Sequence, residues 1–331
     1  MPFSSKYSVG IGITTWKSYE TLESTLETYR ASGIVSLFDR ALIWFQDMRD
    51  GDEELARKYG FEARGSGNRG LAMAMHNLTT ALDTDYVILT ENDCGIVEEK
   101  EEVERQLRAA LELMEQGKVD LMRLRHRFHF GESFRIQKYL DFFPVRDLHP
   151  EFVEHAKLRE HSDFLRTCRG LLRPGKKRWL SGRSVYFERE PEKLFPEVIE
   201  KDESGIYIVD SSAINFTTQS ILLSREFFYR LIYQVYSHPS SRTSNGWISP
   251  ERHINTSFWK QGGFKVGIGR GFFTHERLDG SWREGHRAYE ETAVCRCGPA
   301  GDVFFRHPVL DVRRSPGHDD RYGGSRFPIV V

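Results

Sequence analysis

Residues 85–99 read "DYVILTENDCGIVEE". Tyr86 to Leu89 are apolar and β-rich, and the run ends abruptly in Glu91-Asn92-Asp93. In a strand, side chains two apart point to the same side, so Glu91 and Asp93 face one point in space. Two like charges held there repel unless something positive lies between or beside them. By itself such a triplet fits a plain strand-to-loop boundary with helix-capping acids as well as a ligand site at a strand end; its position along the chain decides between them.

Upstream, the pattern repeats. "YSVGIGITTW" (7–16) is a glycine-rich, β-branched strand ending in polar residues. "SYETLESTLETYRASG" places Leu22, Leu26 and Tyr29 at i, i+4, i+7 before Gly33, which predicts an amphipathic helix. "RALIWFQD" (40–47) is a second strand, again ending in an acid. "GDEELARKYG" reads as a short helix, "FEARGSGNRG" (61–70) as a loop with at most a short strand, and "LAMAMHNLTTAL" as a helix. The order is β-α-β-α-(short β)-α-β. Strands alternating with helices predict an α/β fold with a mostly parallel central sheet and helices on both faces. Such sheets bind ligands at the carboxyl ends of their strands, here Thr14-Thr15-Trp16, Asp47 and Glu91-Asn92-Asp93.

Downstream, 98–116 predicts a helix and 119–128 a strand with Arg123 and Arg125 on one side. Residues 131–200 are charged, aromatic and proline-punctuated; "LLRPGKKRWLSG" (171–182) reads as a loop. Residues 205–224 are strand-like and "REFFYRLIYQVY" is helical. In "SPERHINTSFWKQGG" (249–263), Ser249 suits an N-cap and Pro250 the first helical position. "FKVGIG" follows as a strand. Beyond 281 the pattern dissolves into a tail expected to pack on the body.

The 331 residues allow one large domain or two ordinary ones. Lys plus Arg (47) balances Asp plus Glu (48), which argues against nucleic acid as a partner. No apolar run approaches the roughly 20 residues that span a bilayer. With no signal-like start, the expectation is a cytoplasmic protein, at most peripheral to a membrane. Four cysteines are too few for a disulfide scaffold, and the lone Cys295/Cys297 pair reads as free thiols.

In order along the chain, "GITTW", "IWFQD", "GNRGLAMAMHN", "VILTEND", "SPERHINTSFWKQGG" and "FFTHE" resemble the nucleotide-sugar glycosyltransferases of the GT-A fold, especially inverting family 2. The resemblance is close over the first 95 residues and looser over 205–280. It implies a Rossmann-like nucleotide-binding half (1–97), a variable insert (98–204) and a mixed acceptor half (205–280) in one catalytic domain. It also implies a nucleotide-sugar donor, a hydroxyl acceptor on a glycan, lipid or protein, and Mn²⁺ or Mg²⁺. Glu91-Asn92-Asp93 stands on the family's D-x-D. Asp93 is then a metal ligand, while Glu91 and Asn92 contact the donor; Glu for Asp at 91 departs from the pattern. Thr14, Thr15, Asp47 and Arg69 fall on donor-binding positions, with Asp50 competing for the role of Asp47. His275 stands where family members place a metal ligand or diphosphate contact. Glu251 is the candidate general base. Counting back from the following strand, however, puts Glu251 on the Glu of the family's E-D pair and Arg252 on its Asp, the usual base. Asp210 is the next acid in line.

Independent physics points the same way. A diphosphate leaving group carries several negative charges, and a hard cation with oxygen ligands neutralises them. Two rival classes remain. A nucleotidyltransferase or nucleotide-sugar pyrophosphorylase normally has a Gly-rich loop with Arg and Lys after its first strand, which "GITTWKS" lacks. A catalytically inactive GT-A-like binding module would tolerate loss of Glu251 and Asp93.

Overall fold

The structure, a computed structural model, describes residues 6–131, 136–144, 161–237, 243–244 and 247–278. The first half alternates as the apolar pattern dictates: β1 (Val9–Thr15), α1 (Tyr19–Ser32), β2 (Arg40–Gln46), α2 (Asp52–Lys58), β3 (Glu62–Ser66), α3 (Leu71–Leu82) and β4 (Tyr86–Glu91). Next come α4 (Lys100–Glu115), β5 (Leu121–Arg125), α5 (Gln137–Leu140), α6 (Asp163–Leu172), α7 (Pro174–Ser181) and α8 (Pro191–Leu194). The last part holds β6 (Ile199–Lys201), β7 (Tyr207–Asp210), β8 (Ile221–Ser224), α9 (Arg225–Tyr236), β9 (Thr243–Ser244), β10 (Trp247–Ile248), α10 (Pro250–Ile254), α11 (Ser257–Gln261) and β11 (Lys265–Phe273).

One 9-stranded sheet runs in the order β3-β2-β1-β4-β8-β5-β11-β7-β6. β3, β2, β1 and β4 are parallel, whereas β8 and β7 run against their neighbours. This is an α/β fold with a parallel half and a mixed half, as the sequence pattern suggests. β5 lies inside the sheet, between β8 and β11.

The glycines of β1 are explained by packing. A Cβ on Gly12 would lie 2.7 Å from the Leu78 side chain, and one on Gly10 2.7 Å from Thr84 Oγ1. Helix α3 therefore seats directly on the strand. Ile11 and Ile13 point to the opposite face and are fully buried. In α1, Leu22, Leu26 and Tyr29 form the buried stripe that their spacing predicts. Each such side chain contributes about 1.5–3 kcal/mol on burial. The stripes of α4 (Val103, Leu107, Leu111, Met114) and α9 (Phe228, Leu231, Ile232, Val235) are buried likewise.

The short strand expected between α2 and α3 is β3, whose Glu62 to Ser66 pair with β2 in register; the rest of 61–70 is loop. Two local expectations are corrected. Residues 171–182 are helical: Pro174 sits at the start of α7, where its missing N–H costs nothing, after a break at Arg173. Residues 249–263 form two short helices. Thr256 recaps the chain by accepting the Phe258 N–H, and Asn255 between them bonds Phe216 through side-chain and backbone groups. The tail from 281 and the Cys295/Cys297 pair lie outside the described residues.

Candidate functional site

The carboxyl ends of β1, β2 and β4 lie side by side, since Thr14 pairs with both Trp44 and Glu91. Thr14 and Thr15 are buried there, and the Thr14 hydroxyl donates to Thr90 O at 3.3 Å. Asp47 follows β2 in the left-handed region, φ 65°, a conformation that Asp tolerates better than most residues. Its carboxylate accepts the Asn68 N–H (2.9 Å) and the Trp16 indole N–H (2.9 Å). The Asn68 bond first, then the Trp16 bond, hold it below the usual carboxylate range. Asp47 thus ties together the loops after β1, β2 and β3. Arg69, next to Asn68, is exposed and has no hydrogen bond or ion pair among the described residues.

Alternation along β4 separates the acidic triplet. Asn92 turns away: its amide donates to Ser18 O at 3.4 Å and its carbonyl accepts from Thr25 at 2.8 Å, so it anchors the start of α1. Glu91 and Asp93 face the other way. Asp93 is 1% exposed. Its Oδ2 accepts from Arg277 Nη2 at 2.6 Å and Nε at 3.1 Å, and its backbone carbonyl accepts the Glu276 N–H at 2.8 Å. His275 Nε2 lies 3.5 Å from the same Oδ2 and 3.3 Å from the Gln219 amide nitrogen.

Glu251, in the first turn of α10, joins this group. Its Oε1 accepts from Thr217 Oγ1 (3.0 Å) and from Thr218 N (3.0 Å). The Thr218 hydroxyl stands between two carboxylates, 3.4 Å from Glu251 Oε1 and 3.4 Å from Glu91 Oε1. Although residue Glu91 keeps some exposure, its carboxyl group is enclosed by protein. Burial first, then repulsion from Asp93 and Glu251, push its pKa up to about 8. The opening puzzle therefore has two answers: Glu91 keeps its proton at neutral pH, and Arg277 neutralises Asp93.

Asp210 does not belong to the cluster. It pairs with Lys265 at 3.1 Å, at the start of β11. β11 runs parallel to β5, so this pair sits at the opposite end of the sheet from the β4 carboxylates.

The residues present fit a divalent ion in part. Asp93 and His275 present one carboxylate oxygen and one imidazole nitrogen within 3.5 Å of each other. Among the described residues no group of three His, Cys, Asp or Glu side chains could hold a metal. An ion here would draw its remaining ligands from a diphosphate and water, the usual habit of Mg²⁺. Arg277 would have to release Asp93 Oδ2 first.

Arg277, Thr217 and Thr218 are not marked by the sequence reading, whereas Trp16 is, as part of the carboxyl end of β1. Arg277 had a signal: in "THER" it stands two residues beyond His275, the spacing that shares a side in extended chain. Nothing local marks the two threonines, which are brought in by the loop before β8.

No family model and no curated protein matches the chain. Solved structures that it is similar to include a mannosyltransferase from Pyrobaculum calidifontis in complex with GDP-mannose and Mn²⁺. That match has 13% identity and a TM-score of 0.30, and covers 38% of this chain and only 37% of that one. A second is glucosyl-3-phosphoglycerate synthase from Mycobacterium tuberculosis in complex with Mn²⁺, UDP and glucosyl-3-phosphoglycerate. It shows 12% identity and a TM-score of 0.43, covering 87% of this chain and 78% of that chain. A third is mannosyl-3-phosphoglycerate synthase from Rubrobacter xylanophilus (12% identity, TM-score 0.39, 87% and 72% covered). No helix among the described residues is long and apolar enough to cross a membrane.

Proposed function

We propose that this protein transfers a sugar from a nucleoside diphosphate donor to a hydroxyl acceptor, with inversion at the anomeric carbon. One observation carries the reading: the Thr218 hydroxyl lies 3.4 Å from both Glu91, at a strand end, and Glu251, on a helix 160 positions later in the chain. The carboxylate expected on the donor side and the one expected on the acceptor side share one small space.

In this reading the nucleoside lies over Thr14, Thr15 and Asp47, with Arg69 at the rim. The diphosphate lies towards Asp93, His275 and Arg277. Mn²⁺ or Mg²⁺, held by Asp93 and His275, supplies charge neutralisation for the leaving diphosphate. Arg277 holds Asp93 when no ion is bound, and once released it offers its planar fork to phosphate oxygens. Neutral Glu91 donates a hydrogen bond towards a sugar hydroxyl. Glu251 takes the acceptor proton while the oxygen attacks the anomeric carbon from the face opposite the nucleotide. Its three hydrogen bonds from Thr217 and Thr218 fix the carboxylate in place, so the base is oriented before the substrate arrives.

The test is Glu251→Gln, which keeps the shape and the start of α10. Transfer should fall by about 10²–10⁴, with calorimetric affinity for nucleoside diphosphate unchanged. The anomeric configuration of the wild-type product, read from NMR couplings, should be opposite to the donor's. Retention, or near-normal turnover by the variant, would remove the proposal's mechanism.

A further inference from the structure

Helix α6 presents its two faces the wrong way round for a helix on a core. At about 3.6 residues per turn, Phe164, Leu165, Cys168, Leu171 and Leu172 share one side of it, the spacing of a stripe that normally faces inward. Yet Phe164 is 75% exposed, Leu165 46%, Leu171 77% and Leu172 81%. The inward side is polar. Gly170 is buried there, Arg166 donates through Nε to Leu140 O at 3.1 Å and pairs with Asp163 at 2.9 Å, and Arg169 pairs with Asp141 at 3.4 Å. The bonds to Leu140 and Asp141 fix α6 to the body and leave its apolar stripe outward. A contiguous exposed apolar face marks a surface that something else covers.

The neighbouring charge identifies the cover. From Phe164 to Phe187 the chain holds no Asp or Glu. Arg173 directly follows the stripe, and Lys176, Lys177 and Arg178 lie on α7, which packs on α6; all four are exposed. Lys176 and Lys177 lie 5.6 and 5.8 Å from the Phe142 and Phe143 ring centroids, and Arg178 Nε donates to Ser212 Oγ at 3.0 Å. Among the described residues none of the four has a carboxylate partner. A second copy docking through the same face would set cations against cations. An anionic lipid surface complements both features: acyl chains near the interface for the stripe, and phosphates for the cations.

We propose that α6 and the start of α7 dock this protein reversibly on an anionic lipid surface. With 10 residues, α6 is far short of the roughly 20 that cross a bilayer, so it lies in the plane of the interface. The inference is independent of the transfer reaction, because docking is read without donor or acceptor.

The probe is vesicles of phosphatidylcholine alone, or of equimolar phosphatidylcholine and phosphatidylglycerol, sedimented with the full chain. Wild type should pellet with the mixed vesicles and stay in solution with phosphatidylcholine alone. Molar salt, which shortens the screening length to about 3 Å, should release it. Leu171→Ser with Leu172→Ser should weaken partitioning by about tenfold or more and melt as wild type does, since both side chains are exposed. Arg173→Glu with Lys176→Glu should weaken binding to the mixed vesicles by about tenfold or more. Tyr233→Ser, at a 70% exposed side chain on α9, should bind as wild type does. Glycerol phosphate, the soluble headgroup, should not compete. Absence of wild-type binding, or unchanged binding by the double leucine variant, would overturn the docking face. Release by glycerol phosphate would overturn the lipid surface in favour of a free phosphate. A lipid-free dimer in sedimentation equilibrium that the leucine substitutions dissociate would overturn it in favour of a second copy.

Discussion

Replacing Arg277 with Met strips Asp93 of its guanidinium. Two donor contacts, 2.6 and 3.1 Å, disappear from an oxygen on a side chain that is 1% exposed. An exposed ion pair would matter little, about 0.2–1 kcal/mol. A buried carboxylate left without its partner costs about 3–5 kcal/mol. Arg277 keeps 17% exposure, so the lower end applies, about 3 kcal/mol. With roughly 2–4 °C lost per kcal/mol in a chain of this size, the midpoint should fall by about 6–12 °C. The assay is thermal and urea unfolding of wild type and Arg277→Met, each in EDTA and in Mn²⁺. In the variant the ion no longer competes with an internal cation for Asp93 Oδ2. Mn²⁺ should therefore restore more stability to Arg277→Met than it adds to wild type, about 2.7 kcal/mol at a hundredfold excess over its dissociation constant. An Asp93→Asn, Arg277→Met double variant should be less destabilised than the sum of the singles, since the two side chains act on each other. A loss below about 1 kcal/mol would refute the pairing as the source of neutralisation. Equal Mn²⁺ increments in both proteins would refute the competition.

Two further outcomes follow from the same geometry. Glu91, pushed up to about 8 from the ordinary 4.5, binds its proton more tightly in the folded than in the unfolded state. Its contribution is therefore full below about pH 4.5 and is lost as pH rises through about 8, so Glu91→Gln should flatten that part of the stability profile in urea titrations at stepped pH. A wild-type profile that stays parallel to the variant's would place a charged Glu91 in the fold. Asp47→Ala removes the acceptor of the Asn68 and Trp16 N–H groups and puts Ala at a positive φ, so nucleotide affinity should drop while metal dependence persists. Asp47→Asn should lose less, because Asn tolerates that backbone; equal affinity in all three proteins would leave Asp47 a turn residue only.

What the sequence determined by itself is local. Apolar periods of 3.6 and 2 are written residue by residue, and they placed α1, α3, α4 and α9 and the strands β1, β2 and β4 with their stripes inward. Alternation within a strand also determined that Glu91 and Asp93 share a side and that Asn92 does not. Elements whose form depends on neighbours were not legible. α7 begins at Pro174 because the chain has already turned at Arg173. The site's chemistry was decided one level higher. The Thr217-Thr218 loop, α10 and the segment after β11 reach the end of β4 only through the order of the sheet, in which β8 and β5 intervene between β4 and β11. A carboxylate's partners depend on distance in space, and local periodicity carries no information about it. That is why the sequence raised the question of what neutralises Glu91 and Asp93, and why the tertiary structure answered it with a retained proton and Arg277.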